Sequence, residues 1–296
     1  MKKSTKIKNK QDRWFYFFCY AVVTILTLLV LYPIVYIISA SFSNSDMVAL
    51  GKVWLWPVDF SLASYKIILK HGRVWTGYKN TILYTAAGTL INVAITLICA
   101  YPMARKNLWG RRAIIFFFTF TMMFSGGMIP SYILVKQLGM LNTRWAMVIP
   151  GAMNVYNMVV CRTFIENNIP DEMLEAAKID GCNNTQFFFQ MVLPLSKAII
   201  AVMALWYGVG HWNSYFGAFL YLRDQDLYPL QIFLKEILIV SQKLNSADVL
   251  DEEVTTTVYQ TLKYCVVVVA SAPLFCVYPF VQKYFQEGAL LGSVKG

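Results

Sequence analysis

Charge is what this sequence has least of. Only 14% of its 296 residues are Asp, Glu, Lys or Arg, where a soluble chain carries about a quarter. At 57% hydrophobic and 16% aromatic, it holds more apolar surface than a water-soluble core can use, and lipid is the solvent that accommodates it. Familiar chemical signatures are missing too. There is no G-x-x-x-x-G-K-[ST] phosphate loop, which excludes nucleotide hydrolysis by that route. There is no H-E-x-x-H and no G-x-S-x-G. Histidine occurs only as His71 and His211, far apart in sequence. The six cysteines (Cys19, Cys99, Cys161, Cys182, Cys265, Cys276) have no metal or redox spacing. Most lie in apolar stretches, where cysteine acts as a small hydrophobe. Neither a catalytic residue nor a metal is expected. The net charge of +10 is explained by anionic lipid headgroups and calls for no nucleic acid.

Six stretches are free of charged residues: Trp14–Ser45, Asn80–Ala104, Ala113–Val135, Trp145–Cys161, Ala198–Leu222 and Tyr264–Gln282. A helix needs about 20 such residues to cross a bilayer core of about 30 Å. Trp145–Cys161 is short, but reaches Ile165 if Arg162 snorkels. Barrel strands would alternate in segments of about ten residues, and none do. The expectation is an all-α membrane protein with six transmembrane helices. The first span is too long for the roughly 7–15-residue core of a signal peptide, despite its basic start. Lys and Arg placement sets orientation. Six basic residues precede the first span (Lys2, Lys3, Lys6, Lys8, Lys10, Arg13), and Arg105, Lys106, Arg111 and Arg112 follow the second. Both termini are therefore expected in the cytoplasm. The domain layout is a basic tail over 1–13, a permease domain over 14–285 with a cytoplasmic loop at 166–197, and a cytoplasmic tail over 286–296.

The spans lack the carboxylates and lysines that ion-coupled transporters place at membrane depth. They offer His211 and neutral groups: Asn92, Asn154, Asn157, Asn213, Ser214 and several tyrosines. With Trp212, the residues Asn154, Asn157, His211 and Asn213 are candidates to line a path for a neutral, hydroxyl-rich solute. Bridging between helices is the competing role for each. In Ser125-Gly126-Gly127-Met128-Ile129-Pro130, Gly126, Gly127 and Pro130 can break a helix and form a gate, or can simply end it.

The loop between the fourth and fifth stretches is the most specific feature. Pro170 suits the first turn of a helix, and Asp171 and Glu172 follow where the helix dipole favours negative charge. Met173, Ala176, Ala177 and Asp180 recur at i, i+3, i+4 and i+7 and share a face that the alanines flatten. Gly181 can end this helix in the left-handed conformation. Asn183, Asn184 and Thr185 can cap a second short helix, which carries Phe187, Phe188 and Phe189 and stops at Leu193-Pro194. Spacing alone fits a glycine-jointed docking element and an ordinary interfacial loop equally well.

The pattern Glu175-Ala176-Ala177-x-x-Asp180-Gly181 followed by Leu193-Pro194 resembles the EAA signature of ABC-importer permeases. The fuller form, from Ile169-Pro170 to Leu195, resembles the carbohydrate-uptake, MalG-like type. Met173 and Asp171 stand where that family often has Leu and Glu. Trp212-Asn213 through Tyr228-Pro229-Leu230-Gln231, and the tail from Phe285 to Gly296, resemble further family segments. The likeness is greatest to the complex-oligosaccharide branch partnered by LplB-type permeases.

That resemblance implies a type I ABC importer permease fold in a multi-pass protein of a bacterial cell membrane. It also implies that Glu175, Ala176, Ala177, Asp180, Gly181, Leu193 and Pro194 couple the chain to a separate cytoplasmic ATPase. The implied partners are a second, non-identical permease, a dimer of ATPase subunits and an extracytoplasmic sugar-binding protein. ATP and Mg would sit on the ATPase, with no cofactor on this chain. A permease for a non-sugar solute such as a peptide, and an ion-coupled secondary transporter, are the rival readings. A membrane-embedded glycosyltransferase would need paired carboxylates, and the acidic cluster Asp248, Asp251, Glu252 and Glu253 carries no motif.

Overall fold

A computed structural model describes residues 10–246 and 261–279. The first basic residues, the acidic cluster at 248–253 and the C-terminal tail lie outside the described residues. Every regular element among the described residues is helical. The chain divides into two compact units, one formed by residues 1–70 and 236–270 and the other by residues 71–235 and 271–296.

In the first unit, α1 (Lys10–Ser41) is followed by the short α2 (Ser45–Ala49) and α3 (Ala63–Lys70). The most apolar window of α1 has no residue buried within the chain, so that surface requires lipid or another protein. Only its end is packed: Ala40, Val48 and Val53 form a small core with Tyr36 and Tyr264. Asn44 caps α2 through its side chain. The Cys265 thiol donates to the Ser41 carbonyl at 3.1 Å, a packing use of cysteine.

The second unit is built on α4 (Gly72–Ala104), an uninterrupted helix of 33 residues. Its first half is stitched to the turn that begins α14 (Leu230–Ser246). Asn80 Nδ2 donates to the Asp226 and Tyr228 carbonyls, the Tyr84 hydroxyl donates to the Leu227 carbonyl, and Thr81 Oγ1 accepts from the Leu230 N–H. Gly77 permits the close approach, since a Cβ there would lie 3.0 Å from Leu230 Cα. The second half of α4 packs against α8 (Val155–Asn168) and α12 (Lys197–Trp212). Met158, Cys161, Ile165, Ile199, Met203, Leu97 and Ala100 fill the space between them.

Several of the expected spans are interrupted, one of them at the glycines offered as a possible break. Three helices are long and apolar enough to cross a membrane: Arg13–Ser41, Gly72–Ala104 and Thr261–Pro279, the last being α15. Two bent pairs raise the number to as many as five among the described residues. The expected third span, Ala113–Val135, is broken into α5 (Arg111–Met123) and α6 (Met128–Gln137) by a bend of 113°. Gly127, at φ +89°, supplies the conformation that the bend needs. Trp145–Cys161 is not one helix. It comprises α7 (Trp145–Val148), a connection containing Pro150-Gly151, and the start of α8. Arg162 does not snorkel alone; its Nη2 pairs with Glu166 Oε2 one turn on at 2.9 Å, and α8 runs on to Asn168. Ala198–Leu222 is likewise divided, because α12 stops at Trp212 before α13 (Phe216–Tyr221).

The α4–α12 contact depends on Gly88. A Cβ at that position would lie 2.4 Å from His211 Nε2. Gly88→Ala is therefore expected to destabilise the protein by about 1–3 kcal/mol through overpacking, read as a lower thermal midpoint in detergent. In a His211→Ala background the same change should cost almost nothing. Equal losses in both backgrounds would show that the contact is not the cause.

Candidate functional site

Two features of the second unit concern function: a polar cavity and a helical elbow. The cavity, of about 530 Å3, lies where α4, α8 and α12 meet the broken segments. Its wall includes Asn92, Pro150, Gly151, Asn154, Asn157, Tyr207, His211, Ser214 and Tyr221. The interruptions at 149–154 and 213–215 both contribute to it. Irregular backbone at membrane depth is tolerated where it lines such a space.

A hydrogen-bonded chain shapes one side. Asn154 caps α8 by accepting from the Asn157 N–H at 3.2 Å. Its own N–H donates to the Tyr207 hydroxyl at 3.0 Å, and that hydroxyl shares a hydrogen bond with Thr96 Oγ1 at 2.7 Å. Asn92 is 2% exposed, and its Nδ2 donates to the Gly151 carbonyl at 3.1 Å. Asn92 Oδ1 and His211 Nε2 are buried without a hydrogen-bond partner. Trp206, also on the wall, stacks on Tyr156 with ring centroids 5.9 Å apart. Among the described residues, no Asp, Glu, Lys or Arg lines the cavity.

Of the five pathway candidates, the structure brings Asn154, Asn157 and His211 to this wall. Trp212 and Asn213 lie elsewhere. Trp212 faces an apolar groove with Leu90, Leu205 and Gly208, and Asn213 is exposed, its Nδ2 donating to the Val209 carbonyl. Trp212 is one position of 100° from His211, and Asn213, two positions on, is the C-cap of α12; both are turned off the wall. Gly126, Gly127 and Pro130 are exposed at the α5–α6 bend. From there α6 reaches the cavity indirectly, through Tyr132 stacked on Tyr221 at 6.3 Å. The turn after α6 is fastened by Asn142, whose Oδ1 accepts from the Arg223 and Asp224 N–H groups at 2.9 Å each.

The elbow starts with α9 (Asp171–Ile179); Pro170 precedes the helix as its N-cap and is not in the first turn. Gly181, at φ +81°, closes it in a Schellman motif: its N–H bonds the Lys178 carbonyl, and the Cys182 N–H bonds the Ala177 carbonyl. Asn183 and Gln186 then form a reciprocal capping box on α10 (Asn184–Phe187). A π-helical turn (Phe188–Val192) leads to α11 (Leu193–Leu195). Pro194 has no N–H to donate and its ring crowds the preceding turn, which accounts for the widened geometry. At Ser196 the chain bends by 78° into α12.

The free face of α9 differs from the one read in the sequence. Ala177 is buried with Leu174 against the core that holds Phe187 and Val192, and Met173 packs beside them. The uncovered side carries Glu172, Glu175, Ala176 and Ile179, with Ile179 87% exposed. Asp180, Gly181 and Pro194 are also exposed, and Leu193 is half-buried. Arg105 escaped the sequence reading as a site residue. It is 8% exposed, and its Nη1 donates to Asp171 Oδ1 at 3.2 Å. Its guanidinium lies 5.0 Å from the Tyr101 ring and 5.3 Å from that of Phe187. Arg111, counted only for orientation, pairs with Glu166 and so joins α5 to the end of α8.

No protein-family model matches the chain. Individual proteins do. The polygalacturonan/rhamnogalacturonan transport system permease protein YtcP of Bacillus subtilis is 39% identical over 286 residues, 97% of this chain and 100% of YtcP. The chain belongs to the sugar ABC-importer permease family. This permease is also 39% identical to the LplC protein of Bacillus subtilis, over 89% of each chain. Among solved structures it matches a chain of a bacterial ABC transporter involved in importing the acidic polysaccharide alginate. That match has a TM-score of 0.85 and 33% identity, covering 95% of the permease and 100% of the other chain. Both relatives fit the LplB-partnered branch. The permease is thus a membrane transport subunit, and an importer of this kind works with an ATPase and a binding protein.

The Tyr207 hydroxyl joins α4 to the start of α8. Tyr207→Phe should leave Thr96 and the Asn154 N–H unpaired and cost about 1–3 kcal/mol. Adding Thr96→Val should cost less than the sum of the two single changes. Thermal unfolding of the four variants tests this, and strict additivity would contradict the hydrogen-bonded chain.

Proposed function

We propose that this chain is one of two non-identical membrane subunits of an ATP-driven importer of sugar oligomers, and that its elbow is gripped by a dimer of cytoplasmic ATPase subunits. The elbow at Gly181 carries the proposal. Two short helices are locked at a fixed angle, and the uncovered side of the first presents Glu175, Ala176 and Ile179. A small residue between a carboxylate and an exposed isoleucine suits insertion into a groove with an ion pair at its rim. In this reading Glu175, Ala176, Asp180 and Gly181 meet the ATPase. Ala177, packed in the core, and Leu193 and Pro194, at the end of the second arm, act by shaping the elbow.

In the same reading the bacterial cell membrane is crossed six times, with α8 and α12 as the fourth and fifth crossings and both termini in the cytoplasm. Those two helices have 14 and 16 residues, about 21 and 24 Å at 1.5 Å per residue. The cavity-lining segments beside them make up the remaining depth. ATP and Mg are held by the ATPase, while this chain binds no cofactor and turns nothing over. A binding protein delivers cargo from outside, and Asn154, Asn157 and His211 belong to the path. Gly126, Gly127 and Pro130 form the hinge of an outer gate. YtcP is named for polygalacturonan and rhamnogalacturonan transport and the solved importer for the acidic polysaccharide alginate, so galacturonic-acid oligomers are the first cargo to try. The uncharged cavity neither requires nor repels a carboxylate.

Glu175→Lys or Gly181→Pro should abolish the stimulation of ATP hydrolysis by binding protein loaded with galacturonic-acid oligomers, in proteoliposomes of the complete importer. The membrane subunits should still assemble. Unchanged stimulation would overturn the elbow's role. Gly126→Ala/Gly127→Ala should slow uptake at least severalfold, since alanine is strained at the φ of Gly127; a wild-type rate would reduce the bend to a helix end.

A further inference from the structure

One side chain from outside the elbow reaches both of its arms, while the exposed Lys106 beside it reaches only Asp171 Oδ2, at 3.9 Å. Arg105 is the C-cap of α4. Its guanidinium forms an ion pair with Asp171, the first residue of α9, and donates to the Ile169 carbonyl at 3.4 Å. One ring neighbour is Tyr101, one turn back on α4, and the other is the fully buried Phe187 of α10. Arg105 therefore touches the segment leading into the elbow, its first arm and its second arm. Nε and Nη2 are buried and make no hydrogen bond. The aromatic rings replace that solvation only because a guanidinium is planar and can stack. A lysine could keep the charge, but it could not fill this slot and reach both oxygens.

The other end of this connection is the cavity. α4 runs without interruption from Arg105 back to Asn92, whose side chain lies on the cavity wall. Thirteen residues of helix span about 20 Å. Pro102 in the last turn removes one helical N–H, but the helix continues through it to Ala104. A rod of that length, pinned to the elbow at one end, therefore carries a displacement of the elbow to the cavity.

We propose that Arg105 is the positioning residue that transmits elbow movement to α4, and thereby to the translocation cavity. The proposal rests on the elbow being the ATPase contact. It predicts a class of variants that bind and hydrolyse ATP but do not move the pore. Arg105→Met is of similar bulk and leaves Asp171 partly exposed to water, so the fold should tolerate it. Asp171→Ala tests the same ion pair from the other side.

The test uses the assembled importer in proteoliposomes, with binding protein and galacturonic-acid oligomers. A single cysteine at Ser214→Cys, on the cavity wall and in a background without the native cysteines, reports on the pore through its maleimide labelling rate. With Arg105 present, vanadate trapping should change that rate. In Arg105→Met and Asp171→Ala, the ATPase should still copurify and still trap vanadate. The labelling rate should no longer respond, and oligomer uptake per ATP hydrolysed should fall about tenfold, within the range of measured couplings between sites. Arg105→Lys should remain defective. Arg162→Leu, which breaks a nearby ion pair that does not touch the elbow, should retain the response.

A full labelling response in both Arg105→Met and Asp171→Ala would overturn the proposal, and so would an equal loss in Arg162→Leu. Glu175→Lys in the same assay separates the two ideas. If it abolishes stimulation while Arg105→Met behaves as wild type, the elbow reading stands and the pin fails. If Glu175→Lys leaves stimulation intact, the elbow reading itself fails.

Discussion

α4 is the element from which the larger unit is hung. Among the described residues it is the longest helix of that unit, and each functional part bonds to its surface. Asn80, Thr81 and Tyr84 hold the turn before α14, Asn92 and Thr96 organise the cavity wall, and Arg105 holds the elbow. The physical reason is the solvent. In lipid, unsatisfied backbone groups cannot turn to water, so interrupted segments need a partner that supplies hydrogen bonds. The polar side chains of α4 do this for Gly151, Asp226, Leu227, Tyr228 and Leu230. In a sequence poor in charge, Asn, Thr and Tyr side chains along one helix supply these bonds.

This division explains why the same protein can be both rigid and interrupted. α4 and the apolar contacts of α8 and α12 give a stiff frame. The breaks at Gly127, Pro150-Gly151 and Asn213–Tyr215 place irregular backbone beside the cavity and at the α5–α6 bend. Transport by alternating access asks for this combination, since packed elements rock while the site they enclose is reshaped. Guanidinium–carboxylate pairs tie the end of α4 to α9, through Arg105 and Asp171, and the start of α5 to the end of α8, through Arg111 and Glu166.

Much of this was legible in the sequence, because the informative signals are local. Gly181 ending a helix, Asn183 opening the next and the apolar stretches of α1 and α4 all follow from residues within a turn or two of each other. The breaks were harder to read. Pro150-Gly151 and Asn213-Ser214 interrupt stretches that remain apolar by composition, and hydropathy does not register a missing helical hydrogen bond. Arg105 was read as an orientation charge because what buries it is remote: Asp171 and Phe187 are far along the chain. Ala177 was assigned to the free face of α9 by periodicity, which counts faces but cannot tell which one the core takes. Leu174, larger and more apolar, settles that by turning its own side inward. Trp212 and Asn213 adjoin His211 in sequence, yet helical geometry turns them off the cavity wall.

The account turns on what meets the uncovered side of α9. A photo-crosslinking residue in place of Ile179, in the complex purified from its native membrane, tests this directly. The account predicts an adduct between this chain and the ATPase subunit, with a yield that changes when ATP is trapped in the closed dimer. An Ile179 probe that reacts only with solvent or lipid, in a complex that still transports, would contradict it.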